Sequence, residues 1–275
     1  MALTLYQQAE NNISIEANGI IPELLWGKTA DQIRSLPVPC GNELVALGEL
    51  FCVSGTLGKA DPVVFDGPLH NVNGIGTGMT SGVIRICGDA GNRIGVQMSG
   101  GEIRSTGDVG DHLGAEMTGG VIAVEGDAGD SVGAVLPGSK VGMNRGTILV
   151  RGSVGKGAGE LMRRGMLIVG GNAGDLLGWS MRAGTIVVFG KTGEHVGAEM
   201  IRGTIILGGG LHCSLPASFQ QGGTFGMSAV SLITNWLKQT HPEFDVDVSK
   251  LETMFELFHG DFLQGGRGEV LIPDN

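Results

Sequence analysis

The chain has 275 residues, 51 of them glycine and only 9 proline, so glycine stands at roughly 19% against a usual 7% or so, without collagen's three-residue period. Hydrophobic residues at 41% and charged ones at 17% exclude a disordered chain, and the length allows one or two domains with a sizeable core. A formal net charge of −10, from 18 basic and 28 acidic residues, argues against nucleic acid or an anionic membrane as main partner.

The opening Met1-Ala2-Leu3-Thr4-Leu5 lacks the basic and apolar regions of a signal peptide, and no apolar run is long enough to span a bilayer. Residues 1–47 mix a short strand at Leu3 and Leu5 with a helix predicted from Pro22 to Leu36, and form an N-terminal cap. Residues 48–78 form an irregular first coil of the segment 48–210. Residues 211–275 carry two predicted helices, about Met227–Lys238 and Ser249–Phe258, then a glycine-rich tail from Gly260 to Ile272; they make a C-terminal cap. Four scattered cysteines, Cys40, Cys52, Cys87 and Cys213, without a CxxC pair, fit reduced thiols in a cytoplasmic protein.

Between the ends lies a repeat. Successive units start at Met79, Met98, Met117, Met143, Met162, Met181 and Met200, with the consensus M-x-x-G-x-[IL]-x-φ-x-G-x-x-G-x-x-x-G, where φ is usually Ile, Val or Leu. All steps are 19 residues except the third, which is 26 and holds a seven-residue insertion near Leu136 to Lys140. Several glycines per unit, each costing about 1 kcal/mol in a helix, exclude a helical repeat. The stretch G-x-I-x-V-x-G alternates with period two and reads as a short strand between glycine corners. A strand every 19 residues, with no room for a crossover helix, predicts an all-β fold: a parallel β-helix of about seven coils, rising about 4.8 Å per coil and capped at both ends by helical segments. Its interior would hold one ladder of Ile84, Ile103, Ile122, Ile148, Leu167, Ile186 and Ile205. A second ladder would run Ile94, Leu113, Val132, Ala158, Leu177 and Val196, and the methionines would stack as a third.

Few residues suggest chemistry. The column Asp89, Asp108, Asp127, Ser153, Asn172 and Lys191 could stack carboxylates for calcium, but the Ser and Lys favour turn closure by bonds to each residue's own backbone. His112 and His195 share a phase but lie four coils apart, on the order of 19 Å, too far to share a metal. His70, His212, His241 and His259 have no ligand spacing, and Glu116 and Glu199 recur at solvent-facing corners. GIGTG at 74–78 and GKGAG at 155–159 lack the following helix of a phosphate loop. No catalytic residue, cofactor site or metal site is assigned.

One column stands apart. The outward position of the strand reads Arg85, Arg104, Ala123, Leu149, Ile168, Val187 and Ile206, charged at first and then aliphatic. Four stacked aliphatic side chains, each worth about 1.5–3 kcal/mol when buried, would not be left in water. Either the C-terminal helix covers them with Val230, Ile233, Trp236 and Leu237, or Leu149, Ile168, Val187 and Ile206 form an interface for another subunit.

The repeat IRSTGDVGDHLGAEM at 103–117, the GNEL entry at 41–44, the insertion and the GGRGE ending at 265–269 resemble a known family over nearly the whole chain. The chain is similar to the C subunit of formylmethanofuran dehydrogenase, and to the bacterial C subunit of the formyltransferase/hydrolase complex of tetrahydromethanopterin-linked C1 metabolism. The same coil forms the C-terminal domain of the glutamate synthase large subunit, but an independent chain of this length looks more like the C1 family. The resemblance implies a right-handed parallel β-helix that scaffolds formyltransferase, amidohydrolase-like and dehydrogenase-B-like chains. Zinc, molybdenum or tungsten pterin would then sit in partners and no cofactor in this chain. The bacterial hydrolytic complex is the favoured form, the molybdenum or tungsten dehydrogenase the alternative, and a stand-alone structural module the further one.

Overall fold

The computed structural model describes residues 2–8, 13–56, 58, 60–226 and 228–274. The chain is mostly β with few helices, and its centre is a large, predominantly parallel sheet of thirteen strands among the described residues. Seven strands in chain order form its middle: Val83–Cys87, Glu102–Ser105, Val121–Val124, Thr147–Val150, Met166–Val169, Thr185–Val188 and Arg202–Leu207. Each pairs in parallel with the next, and the register sets like upon like. Ile84 lies beside Ile103, then Ile122, Ile148, Leu167, Ile186 and Ile205, all fully buried. A second line of parallel bridges joins Leu69, Ala90, Val109, Ala128, Val154, Ala173 and Thr192. The predicted second apolar ladder, from Ile94 to Val196, is buried as well.

The glycines let these columns close. Gly95 and Gly114 have positive φ, and a Cβ on either would stand 2.5 Å from the Cδ1 of the isoleucine two repeats on, Ile122 and Ile148 respectively. The methionines that open the repeats are all fully buried. Their Cε atoms press on the glycine of the following repeat: a Cβ on Gly101 would lie 2.5 Å from Met79 Cε, and one on Gly120 2.6 Å from Met98 Cε. The predicted methionine column therefore packs against glycine of the next repeat.

Both ends extend the sheet. Val63–Asp66 pairs in parallel with Val83–Cys87, Leu3–Gln7 joins it in parallel, and Phe51–Ser54 closes that edge antiparallel. A small sheet of Glu43–Ala46, Pro37–Cys40, Ile15–Glu16 and Val72–Asn73 lies beside it. The helix expected from Pro22 to Leu36 is two short ones, Pro22–Leu25 and Ala30–Arg34, because Gly27 turns the chain with φ +75 and Thr29 starts a new helix with a capping box to Gln32.

At the other end, Ser228–Thr240 is helical as predicted, with Met227 outside the described residues. The second expected helix, Ser249–Phe258, is corrected: a short 3-10 turn, Val248–Leu251, is followed by the strand Phe255–Gly260. The alternation of buried Phe255 and Leu257 with half-buried Glu256 and Phe258 is a strand pattern, so the C-terminal cap is only partly helical. The glycine-rich tail carries the strand Arg267–Pro273, which lies parallel to Arg202–Leu207, and Phe255–Gly260 and Gln220–Phe225 follow antiparallel. Both edges of the sheet thus end in short strands that run antiparallel to their neighbours.

Gly114→Ala should lower stability by about 2–4 kcal/mol, combining backbone strain at φ +59 with overpacking against Ile148. Gly138→Ala, at φ +90 in the insertion but with open space around it, should cost only the strain, about 1–2 kcal/mol. Thermal and denaturant midpoints of the two variants measure the difference.

Candidate functional site

The corner column does not close its own turns. Asp89 Oδ1 accepts from the backbone N–H of Asp108 at 2.8 Å, Asp108 from Asp127 at 2.7 Å, and Asp127 from Ser153 at 2.7 Å. Ser153 Oγ then accepts from Asn172 at 3.0 Å, and Asn172 from Lys191 at 2.8 Å. A parallel ladder runs from Asn73 through Asn92, Asp111 and Asp130 to Lys156. The expected bond to the residue's own backbone is thus replaced by one to the next repeat, because stacking brings the equivalent N–H within reach of a short side chain. These carboxylates are engaged in structure. Among the described residues no group of three or more His, Cys, Asp or Glu converges as a metal-holding set.

The shared phase of His112 and His195 has a backbone cause. Both occupy a corner with φ +60, a left-handed conformation that Arg93, Ser131 and Leu176 share. Glu116, expected at a solvent-facing corner, is half-buried: it accepts from Gln97 Nε2 at 2.9 Å and from Leu136 N at 3.2 Å in the insertion. Burial opposes its ionisation, but these bonds and one from Ser139 outweigh it and hold the carboxyl below its ordinary value. Glu199 N–H donates to Asp261 at 3.1 Å, and its carboxylate accepts from Ser180 at 2.8 Å.

The outward column is where the surface becomes a site. In register it reads Thr4, Val64, Arg85, Arg104, Ala123, Leu149, Ile168, Val187, Ile206 and Leu271. Leu149, Ile168 and Val187 are 0% exposed and Ile206 is 2%. They form a second core with Val230, Leu237, Phe244, Leu251 and Phe255, against which Ile233 and Trp236 also pack. The four residues considered as an interface for another subunit therefore lie under the chain's own C-terminal cover, and a docking role for them is corrected. The predicted helix face is the one that meets them.

The cover stops at Ala123. There the outer face opens into a cleft of about 350 Å³ floored by Ala123 and Leu149, walled by Phe244 and Glu243, and edged by Arg85, Arg104 and Arg151. Arg104 binds Glu102 and reaches Glu243 at 3.1 Å, and its guanidinium is held more basic first by the Glu102 hydrogen bond. His241 Nδ1 lies 3.4 Å from the same Glu243 oxygen, and its ring meets Trp236 edge-on with centroids 5.0 Å apart. For Glu243, burial favours the neutral acid. Its own backbone N–H, Arg104 and His241 outweigh that and hold its carboxyl below the usual value. Arg104, Glu243 and His241 together clasp the cover to the sheet. The Cys87 thiol in the cleft is pushed up, first by burial and then by Asp66 with Arg85 opposing, so at neutral pH it is held as the weakly nucleophilic thiol. The cleft can hold an anionic group against an apolar floor. The outward column in the sequence signalled this place, but the irregular segment carrying Glu243 and Phe244 gave no pattern by which to find its wall.

Ile168→Asp should cost about 4 kcal/mol or more by burying an unpaired charge, and should expose residues 228–260 to limited proteolysis in the isolated chain. Because the folded state lowers the pKa of Glu243, its contribution is present above the ordinary glutamate range and is lost as pH falls through the lowered value. The unfolding midpoint of Glu243→Gln should therefore fall less than that of the parent between roughly pH 5 and pH 3.

No protein-family model matches the chain. It is 40% identical over 91 residues to the C subunit of the molybdenum-containing formylmethanofuran dehydrogenase 1 of Methanothermobacter marburgensis, covering 33% of this chain and 23% of that protein. It is 37% identical over 90 residues to the C subunit of the tungsten-containing formylmethanofuran dehydrogenase 2 of Methanothermobacter thermautotrophicus, covering 32% and 33%. The chain thus spans no more than 33% of the length of these curated relatives. The crystal structure of the formyltransferase/hydrolase complex (FhcABCD) from Methylorubrum extorquens, in complex with methylofuran, holds a chain with TM-score 0.89 and 32% identity, covering 99% of this chain and 100% of that one. With that likeness running from end to end, and with the curated relatives named as they are, the chain belongs to the family formed by the C subunits of formylmethanofuran dehydrogenase and of the formyltransferase/hydrolase complex.

Proposed function

We propose that this chain is the non-catalytic, structural C subunit of a formyltransferase/hydrolase complex in tetrahydromethanopterin- and methanofuran-linked C1 metabolism. Partner subunits would transfer the formyl group to methanofuran and hydrolyse it to formate. The observation that carries this is the end-to-end likeness to a chain of the Methylorubrum extorquens complex. The partners on this reading are formyltransferase, amidohydrolase-like and dehydrogenase-B-like chains, and the assembly is cytoplasmic. The stacked register supports a right-handed parallel β-helix of about seven 19-residue coils as its form, with the segments 1–47 and 211–275 closing its ends. A wall of this kind suits a scaffold: its hydrogen bonds run from repeat to repeat and resist bending across the stack.

A second reading, the C subunit of a molybdenum or tungsten formylmethanofuran dehydrogenase, is supported by the names of the curated relatives, over a third of the chain.

Co-expression with the partner chains separates the two. The expected product is a molybdopterin-free complex that moves formyl from formyl-tetrahydromethanopterin to a methanofuran-like carrier and releases formate, while this chain alone shows no turnover. Bound pterin with electron transfer to a dye selects the dehydrogenase. Turnover by the isolated chain overturns the structural role.

A further inference from the structure

The column under the C-terminal cover continues past the cover's edge, and what continues is not an ordinary solvated face. Ala123 and Val64 are half-buried apolar positions on either side of Arg104 and Arg85. Arg104 is held by Glu102 and Glu243, and Arg151 approaches Asp245 at 3.9 Å. Arg85 is exposed and makes no hydrogen bond or ion pair with any described residue. Around the cleft Arg104 and Arg151 are matched by Glu102, Glu243 and Asp245, which leaves Arg85 as the lining arginine without a carboxylate partner among the described residues, on a chain whose formal net charge is −10. An acidic segment is repelled by the molecule as a whole, and the position here at which it gains an ion pair is Arg85. Beside the unpaired guanidinium, half-buried Ala123 and the neighbouring Phe244 give the cleft an apolar lining that suits a side chain of the same kind that fills the covered rungs.

We propose that this cleft is the docking site for a carboxylate-bearing segment of a partner protein in the assembly: its acidic side chain pairs with Arg85, and a neighbouring apolar side chain seats against Ala123 and Phe244. The partner then takes up the sheet face where the chain's own cover ends. The assignment rests on the chain's being a subunit of the proposed complex.

Cys87 gives the test a reporter, since its side chain is exposed and lines the cleft. The complex co-expressed with its formyltransferase, amidohydrolase-like and dehydrogenase-B-like partners is treated with N-ethylmaleimide beside the isolated chain at one pH, and alkylation of Cys87 is read by mass spectrometry. Docking predicts at least tenfold slower alkylation in the assembly. Arg85→Glu should weaken assembly at least tenfold, with less salt dependence than the parent, and Arg85→Lys should restore most of it; both isolated variants should keep the parent's unfolding midpoint. Equal alkylation of Cys87 in complex and isolated chain overturns the docking site while leaving the subunit role standing. Protection of Cys87 with normal assembly of Arg85→Glu overturns the carboxylate pairing. Absence of any assembly overturns the subunit role and this assignment together.

Discussion

Everything in this molecule follows from the requirement that each repeat lie in register on the one before. Once Ile84 stands beside Ile103 and Ile103 beside Ile122, every position of the repeat must be a residue able to pack against its own kind. Isoleucine does so by interlocking branched side chains, and methionine by laying its methyl group over a glycine of the next repeat. Aspartate does so by turning outward to accept the neighbour's backbone N–H, so that stacked carboxylates do not meet one another directly. Each column solves a different problem of self-contact, and the glycines supply the space the other columns occupy.

A sheet built this way has two exposed edges and an outer face, and the chain treats them differently. At each edge it reverses strand direction and ends in antiparallel strands, Phe51–Ser54 at one side and Gln220–Phe225 at the other. On the outer face it folds a helix and a turn across four aliphatic rungs and holds them with the Arg104–Glu243–His241 clasp. The cover ends where the column turns from aliphatic to cationic, and that boundary is what creates the cleft.

Much of this was legible because repetition averages out local ambiguity. The strand positions, both interior ladders and the helix face from Val230 to Leu237 follow from period and alternation alone. What escaped were features without repeats. The segment Phe255–Gly260 alternates over only a few residues, too short a run to overrule a helical expectation. Gly27 broke the first helix through a backbone angle that no spacing reveals. The destination of the aspartate side chains was hidden for another reason: reaching one's own turn and reaching the next repeat demand the same residue types, and only stacking decides between them. The even choice between a cover and a subunit over Leu149 to Ile206 had the same character, since either occupant would ask for the same aliphatic column.

The insertion carries a last consequence. Ile122 and Ile148 pair in the same parallel register as the other rungs although they are 26 positions apart, Met143 N–H bonds back to Gly133 O at 2.9 Å, and Glu116 anchors the extra residues through Leu136. The additional length leaves and rejoins the stack at one corner without passing any displacement to the neighbouring strands. The corner thus absorbs seven extra residues while the strands on either side keep their pairing, and the remaining repeats hold to their count of nineteen.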